Sequence, residues 1–449
     1  MEIRILDSRT AMDTILKRKP LGDGEIPPRI LDRIKESFGE ALTPLQAVQR
    51  IIADVRSRGD AGLSEWTLRL DEVVIKEFRV PLEEIESAVE QIPGQLLDDL
   101  KMAAQRVKTF HENQNFNSWM MEESKGKLGQ LIRPIRRVGL YVPGGTAPLP
   151  STLIMSAVPG RVAGVEQVAV VSPPGKNGRI SPVILAAAAV SGVDEVYNLG
   201  GAQAIAALAY GTNQVPAVDK IFGPGNLFVT LAKREVFGTV GIDGLAGPTE
   251  TVVIADDSAR PDWVALDLLA QAEHDILAAA ILLTPSRHLA QAVSEEITRL
   301  VDSEDTEPFS RAAIIQASLQ AGSGIVLTRD LEEAFELSNA FAPEHLSLSI
   351  KDAPCWLEKV QAAGGVFLGE RSFEVLGDYA AGPSHVMPTG GTARFASPLN
   401  LFDFVRVISV VGLNPAIARE IASVSARLAR AEGLDAHARA AEARCIDGE

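Results

Sequence analysis

Six histidines are spread over 449 residues, and four of them stand beside other groups able to bind a metal or move a proton. His274 lies in QAEHD (271–275) at the end of a predicted helix, so Gln271 and His274, three residues apart, share one helix face. His345 follows Glu344 in APEHL (342–346), just before a predicted strand. His385 closes GDYAAGPSH (377–385), seven residues after Asp378, and His437 closes EGLDAH (432–437) on the C-terminal tail. As a set, these amide, carboxylate and imidazole groups suit zinc, which accepts mixed nitrogen and oxygen ligands. Singly, each histidine reads equally as a surface, capping or turn residue. Neither HExxH nor a paired CxxC is present, so spacing alone leaves the metal question open, and only a fold can bring such distant segments together. His111 and His288 lie on predicted helices among charged neighbours and read as solvated.

Cys355 and Cys445 are too few for a thiolate zinc site or a disulfide framework, and neither has a catalytic setting. An aldehyde oxidised here would pass through a water adduct, with a carboxylate or histidine base activating the water. Glycine-rich turns VPGG (142–145), GGAQ (200–203) and FGPGN (222–226) each follow a predicted strand. Such turns let a backbone approach a phosphate at a helix N-terminus, though a plain tight turn explains each as well. No GxGxxG is present, so a dinucleotide would be bound through contacts other than the usual fingerprint.

The elements that must position these groups read as α/β. Up to about Gln130 the chain reads as helical: Thr43 is a predicted N-cap before Pro44, with Ala47, Val48, Ile51, Ile52 and Val55 at helical spacing. From Val138, apolar β-branched runs at 139–142, 167–171, 195–199, 220–222 and 251–255 alternate with helical stretches at 182–191 and 202–210. The alternation resumes with strands at 279–283, 324–328 and 365–368, which predicts parallel βαβ units. Two units follow, one at 141–248 and one combining the helical N-terminal part with 249–399. The tail from Asn400 reads as helical, with Ile417, Ile421, Val424, Leu428 and Ala431 in one apolar stripe suited to docking on a partner subunit. A net charge of -16 argues against nucleic-acid partners. Two cysteines, no basic-then-apolar leader and no apolar run long enough for a bilayer point to a cytoplasmic protein with no membrane association.

In order along the chain, VGLYVPGG (138–145), LGGAQAIAA (199–207), IFGPGN (221–226) with AKR (232–234), AGPTE (246–250), QAEH (271–274), APEHL (342–346), GDY (377–379) through Pro388 and Thr389, and EGLDAH (432–437) stand together. Any one is weak, but jointly they make the chain resemble the histidinol dehydrogenase family from about Val48 to its end. The resemblance implies two incomplete Rossmann-like domains around a cleft. An N-terminal segment (1–34) would lead into a discontinuous first domain (35–140 and 249–399) carrying the metal and catalytic residues. A second domain (141–248) would bind NAD, and a tail (400–449) would be exchanged across a homodimer. One zinc per site would be held by Gln271, His274 and Asp378, with His437 from the other subunit. Substrate contacts would be Thr249, Gln271, His274, His345, Asp378, Glu432 and His437, and NAD contacts Tyr141, Gln203 and Asn226. His345 would be the base in both hydride transfers and Glu344 would activate the water that hydrates the aldehyde. The implied reaction is the oxidation of L-histidinol through L-histidinaldehyde to L-histidine with two NAD, the last step of histidine biosynthesis. Thr249 stands where serine is usual and Gly160 where alanine is. Another small polar alcohol such as a sulfonated diol is the alternative substrate, although Glu432 favours an amino alcohol. A zinc hydrolase or a non-catalytic metal-binding dimer would leave the glycine-rich turns or the Glu344–His345 pair unexplained.

Overall fold

The structure is a computed structural model that describes residues 3–18, 26, 28–123, 126–144, 148–302 and 309–445; Gly145, the last residue of the 142–145 turn, lies outside them. Two parallel sheets organise the chain. One has five strands in the spatial order Glu195–Asn198, Gln167–Ser172, Arg137–Tyr141, Lys220–Phe222, Gly241–Ile242. The other has six, in the order Ile5–Asp7, Gly324–Leu327, Ala279–Thr284, Glu250–Ala255, His345–Ser349, Gly365–Leu368. The central strands of both are buried along their length, because helices cover both faces. The expected α/β architecture of two Rossmann-like units is therefore present.

The cores divide differently from the expected grouping of 35–140 with 249–399. Helices Pro44–Arg58 and Asp60–Asp71 bury Val48, Ile51, Val55 and Trp66 against Ala169, Val171, Tyr197 and the Ala-rich helix Gly201–Tyr210. Helices Leu82–Gln91 and Gly94–Glu112 bury Ile85, Ala88, Leu100 and Val107 against Val138, Val168 and Ile184 on the opposite face of the same five-stranded sheet. Small alanine side chains let these helices approach closely, so their apolar stripes are used up there. The start of the chain joins the sheet of the other unit, where Ile5–Asp7 adds an edge strand beside Gly324–Leu327.

Two stretches read as helical are strands. Trp119–Glu123, Gly126–Pro134 and Val405–Leu413 form a three-stranded antiparallel sheet, with Val405 opposite Pro134 and Leu413 opposite Gly126. The β-branched residues Val405, Val407, Ile408, Val410 and Val411 favour the strand over the expected helix. Among the described residues the tail is α-helical at Pro415–Ala431 and Asp435–Glu442, which pack on each other through Ala426, Ala429 and Ala438. His111 is buried, not solvated. Its Nδ1 lies 3.0 Å from Gln114 Oε1, which also accepts the Leu401 N–H, so the ring supports the turn into the tail. Among the described residues no helix is long and apolar enough to cross a membrane.

Candidate active site

In a parallel sheet each crossover helix carries the chain from the carboxyl ends of the strands back to their amino ends. Helix C-termini therefore collect at the amino edge, and helix N-termini at the carboxyl edge. On the six-stranded sheet the sequence-selected residues gather at the amino edge. His345 lies opposite Thr251, so strands Glu250–Ala255 and His345–Ser349 begin side by side and place Thr249, Glu250, Glu344 and His345 together. Helix Pro261–Ala272 ends at the same edge and delivers Gln271 and, just beyond it, His274. Helix Glu374–Tyr379 delivers Asp378. The five-stranded sheet turns its carboxyl edge toward this cluster: Thr152, in the first turn of helix Pro150–Val162, has its hydroxyl 3.2 Å from His385 Nε2, and Ser384 Oγ donates to the Met155 carbonyl at 3.1 Å.

Glu344 is buried, and its Oε2 accepts from the Thr249 hydroxyl and, at 3.0 Å, from the Glu250 N–H. Burial pushes its carboxyl up to about 7, against the pull of His345. His345 Nδ1 lies 3.2 Å from the Glu250 carbonyl and 3.7 Å from both the Glu344 and Glu374 carboxylates. A carbonyl can only accept, so in the neutral ring Nδ1 carries the proton and Nε2 the lone pair. That Nε2 is buried without a hydrogen-bond partner among the described residues and lies 3.8 Å from Asp378 Oδ1. A basic nitrogen held free beside a polar cluster is what proton abstraction requires.

A cation fits the neighbouring donors. Thr251 Oγ1 meets both Glu374 Oε2 and, at 2.9 Å, Gln271 Oε1, while Gln271 Nε2 is buried without a partner. A Thr251 hydroxyl that gives its proton to an ionised Glu374 has none left for Gln271 Oε1. The two ends of an amide are interchangeable in outline. Turned over, Gln271 donates to Thr251 and presents its oxygen to the cluster, which removes the orphan donor. With His274 and Asp378 this gives one nitrogen and two oxygen donors, a set that zinc takes. Two helix C-termini aimed at the site add negative potential. The His274 imidazole is held below the usual histidine range by desolvation, against the pull of Asp378. Among the described residues no three His, Cys, Asp or Glu side chains form a metal-holding group by themselves. His437 and Glu432 are exposed on the tail and are not brought to the cluster within this chain. His385, whose Nδ1 is 2.7 Å from the Asp378 carbonyl, has both ring nitrogens engaged by the protein.

The three residues selected as NAD contacts share the carboxyl edge of the five-stranded sheet but differ in access. Asn226 is exposed, and its Oδ1 caps helix Leu227–Val236 by accepting from Phe228 and Val229 N–H. Tyr141 and Gln203 are buried: the Tyr141 hydroxyl accepts the Gly201 N–H at 3.2 Å, and Gln203 Nε2 donates to Asp71 at 3.1 Å. Burial lifts Asp71 to about 6 and Tyr141 to about 12. Gly223 in the 222–226 turn has φ +103, and a side chain there would strike the Tyr141 carbonyl. Packing alone thus demands that glycine, whatever binds nearby.

Two site residues escaped sequence reasoning. Glu374 is wholly buried, and its carboxyl is raised well above the usual range by burial and by Asp378. Its signal was present, since it stands four residues before Asp378 on one helix face. Glu250 had no signal beyond its place in AGPTE. The Thr249 bond to Glu344 also makes a prediction. Thr249→Ser keeps the donor and should leave activity nearly unchanged. Thr249→Ala strips a buried carboxylate of a donor, so turnover should lose about 1–3 kcal/mol of stabilisation, read as a roughly 5- to 150-fold lower kcat/KM. Equal activity in both variants would remove Thr249 from the site.

Comparison with known proteins agrees with this geometry. A family model described as histidinol dehydrogenase matches residues 36–445. A histidinol dehydrogenase of Deinococcus radiodurans is 53% identical over 419 residues, spanning 93% of this chain and 95% of its own length. One from Moorella thermoacetica is 51% identical over 429 residues, spanning 95% and 99%. The crystal structure of histidinol dehydrogenase from Elizabethkingia anophelis superposes with a TM-score of 0.88 at 33% identity, covering 99% of this chain and 98% of that one. A match over nearly the full length, in sequence and in fold, means that this chain belongs to the histidinol dehydrogenase family.

Proposed function

We propose that the enzyme oxidises L-histidinol to L-histidine through L-histidinaldehyde, with one zinc per site and two NAD used in succession. The observation that carries this reading is the pair at the amino edge: a buried carboxylate raised toward neutrality beside an imidazole whose Nε2 is free. Gln271, His274 and Asp378 would hold the metal together with His437 from a second copy of the chain. When bound, zinc supplies a fixed positive charge that orients the imidazole and amino groups of the substrate. Thr249, and Glu432 from the second copy, hold the substrate's polar groups. His345 Nε2 takes the hydroxyl proton as the hydride leaves carbon for the first nicotinamide, giving the aldehyde. Glu344 then takes a proton from water as its oxygen bonds to the carbonyl carbon, and His345 returns its proton to the carbonyl oxygen, giving the hydrate. His345 accepts a proton from the hydrate while the second hydride passes to a second NAD, giving the acid, which ionises to the carboxylate. Asn226 and the turns at the carboxyl edge of the five-stranded sheet are the natural seat for the dinucleotide, at helix N-termini.

Tail exchange is supported by what one chain leaves uncovered. Trp119, Met121, Val407 and Val411 on the antiparallel sheet, and Ile421, Val424 and Leu428 on the Pro415–Ala431 helix, are all exposed. An apolar surface of this extent, carrying His437 and Glu432 at its end, suits a homodimer in which each tail completes the other site.

The test follows NADH absorbance with L-histidinol, before and after chelation. Two NADH per histidinol, lost on chelation and restored by zinc, are expected. A folded, zinc-loaded enzyme that makes no NADH from L-histidinol would overturn the substrate assignment and turn attention to other polar alcohols, sulfonated diols first.

A further inference from the structure

Glu250 fixes both members of the proposed catalytic pair with its own backbone. Its N–H donates to Glu344 Oε2 at 3.0 Å, and its carbonyl faces His345 Nδ1 at 3.2 Å. Glu250 is in turn held by its buried carboxylate. Arg18 grips both carboxylate oxygens, Nη1 on Oε1 and Nη2 on Oε2 at 2.8 Å, and the Gly390 N–H adds a bond to Oε1 at 3.1 Å.

The same guanidinium reaches the other strand. Its Nε donates to the Phe341 carbonyl at 2.8 Å, its Nη2 donates to the carbonyls of Phe341 and Ala342, and it lies 3.5 Å from the centre of the Phe341 ring. Phe341 and Ala342 close helix Leu331–Phe341 and lead directly into Pro343, Glu344 and His345. Ala342 has φ 51, a left-handed conformation that a residue with a side chain adopts under strain. A cation at a helix C-terminus, bonded to its last carbonyls, is well placed to hold that turn. Arg18 itself comes from the N-terminal segment, 232 positions before Glu250. One planar fork thus ties the entry of the Glu250 strand to the entry of the His345 strand.

We propose that Arg18 is a positioning residue for the reaction: by clamping Glu250 and the 341–342 turn, it sets Glu344 and His345 relative to the reacting carbon. The proposal rests on the catalytic roles given above to Glu344 and His345. Among the described residues Arg18 makes no hydrogen bond to Gln271, His274 or Asp378, so zinc content should hold in its variants. Lysine cannot replace it, because a point charge cannot bridge a carboxylate and two carbonyls at once.

The experiment uses full-length, zinc-loaded enzyme with Arg18→Ala, Arg18→Lys, Glu250→Gln, Glu344→Gln and His345→Asn, with kcat, KM and zinc content measured for each. For Arg18→Ala we expect kcat to fall roughly 100-fold with KM within about twofold and zinc content unchanged, the cost of misplacing catalytic groups by about an ångström. Dilute guanidinium, below denaturing concentration, should restore part of that kcat where ammonium does not. Glu250→Gln should lose a similar factor, and guanidinium should not restore it. If Arg18→Ala does not fold, Arg18→Lys decides, with kcat about tenfold down at unchanged KM. Full kcat in Arg18→Lys, or a loss that tracks zinc content or KM, overturns the proposal. If Glu344→Gln and His345→Asn lose activity and the Arg18 variants do not, only the positioning role falls. If those two variants are fully active, the functional reading falls first.

Discussion

Glu344→Gln is expected to stop the enzyme halfway. Both hydrogen bonds to the carboxylate, from the Thr249 hydroxyl and the Glu250 N–H, end on one oxygen, which the amide retains. The fold and the first oxidation should therefore survive. An amide cannot take a proton from water, so hydration of the aldehyde should slow roughly 100- to 10,000-fold. NADH formed per histidinol consumed should fall from two toward one, and a carbonyl trap should recover the aldehyde. A pH series adds a sign. Glu344 is a base only when ionised, and burial sets its carboxyl at about 7. Wild-type aldehyde oxidation should climb as pH rises through about 7 and level off above it, and the variant should lose that inflection. Two NADH per histidinol at the normal rate would remove Glu344 from the mechanism.

His345→Asn should slow both hydride transfers by roughly 100- to 10,000-fold while zinc content stays whole, because Nε2 is the proposed base in each. Paired with His437→Ala, it also tests where the tail goes. Either variant alone should be nearly inactive. If tails are exchanged, a mixed dimer contains one site with both defects and one with neither. Refolding the two variants together should then return about a quarter of wild-type turnover, since half of the dimers are mixed and half of their sites intact. If each tail served its own subunit, every site in the mixture would carry a defect and no activity would return.

How far these groups could be read from sequence depended on how local their partners are. Glu344 and His345 are adjacent, and Gln271 and His274 share a helix face, so their grouping survives in the linear order. The parallel strands were legible for a similar reason: burial on both faces makes each an apolar run such as Gln167–Ser172. Val405–Leu413 misled because its partner, Gly126–Pro134, lies far away in the chain and much of the strand is exposed in one subunit, so no clean alternation marks it. Helices 44–112 carried the right stripes, but a stripe does not name the sheet that covers it. His111 looked solvated among its charged neighbours until Gln114 and the Leu401 turn enclosed it. Arg18 was invisible because everything that gives it meaning lies more than two hundred residues downstream.

The direction of the strands has a consequence for what the enzyme can accept. The edge proposed to face the substrate is one where chains finish their helices, so main-chain oxygens gather there beside Asp378 and the buried Glu344 and Glu374. A sulfonate or phosphate entering there would meet charge of its own sign from the backbone itself, which no single side-chain change removes. It would have to rely on the proposed zinc, or on a cation supplied by the second copy, to offset that potential. Chain topology, fixed long before any side chain is chosen, thus sets the background potential against which any cation in this pocket acts.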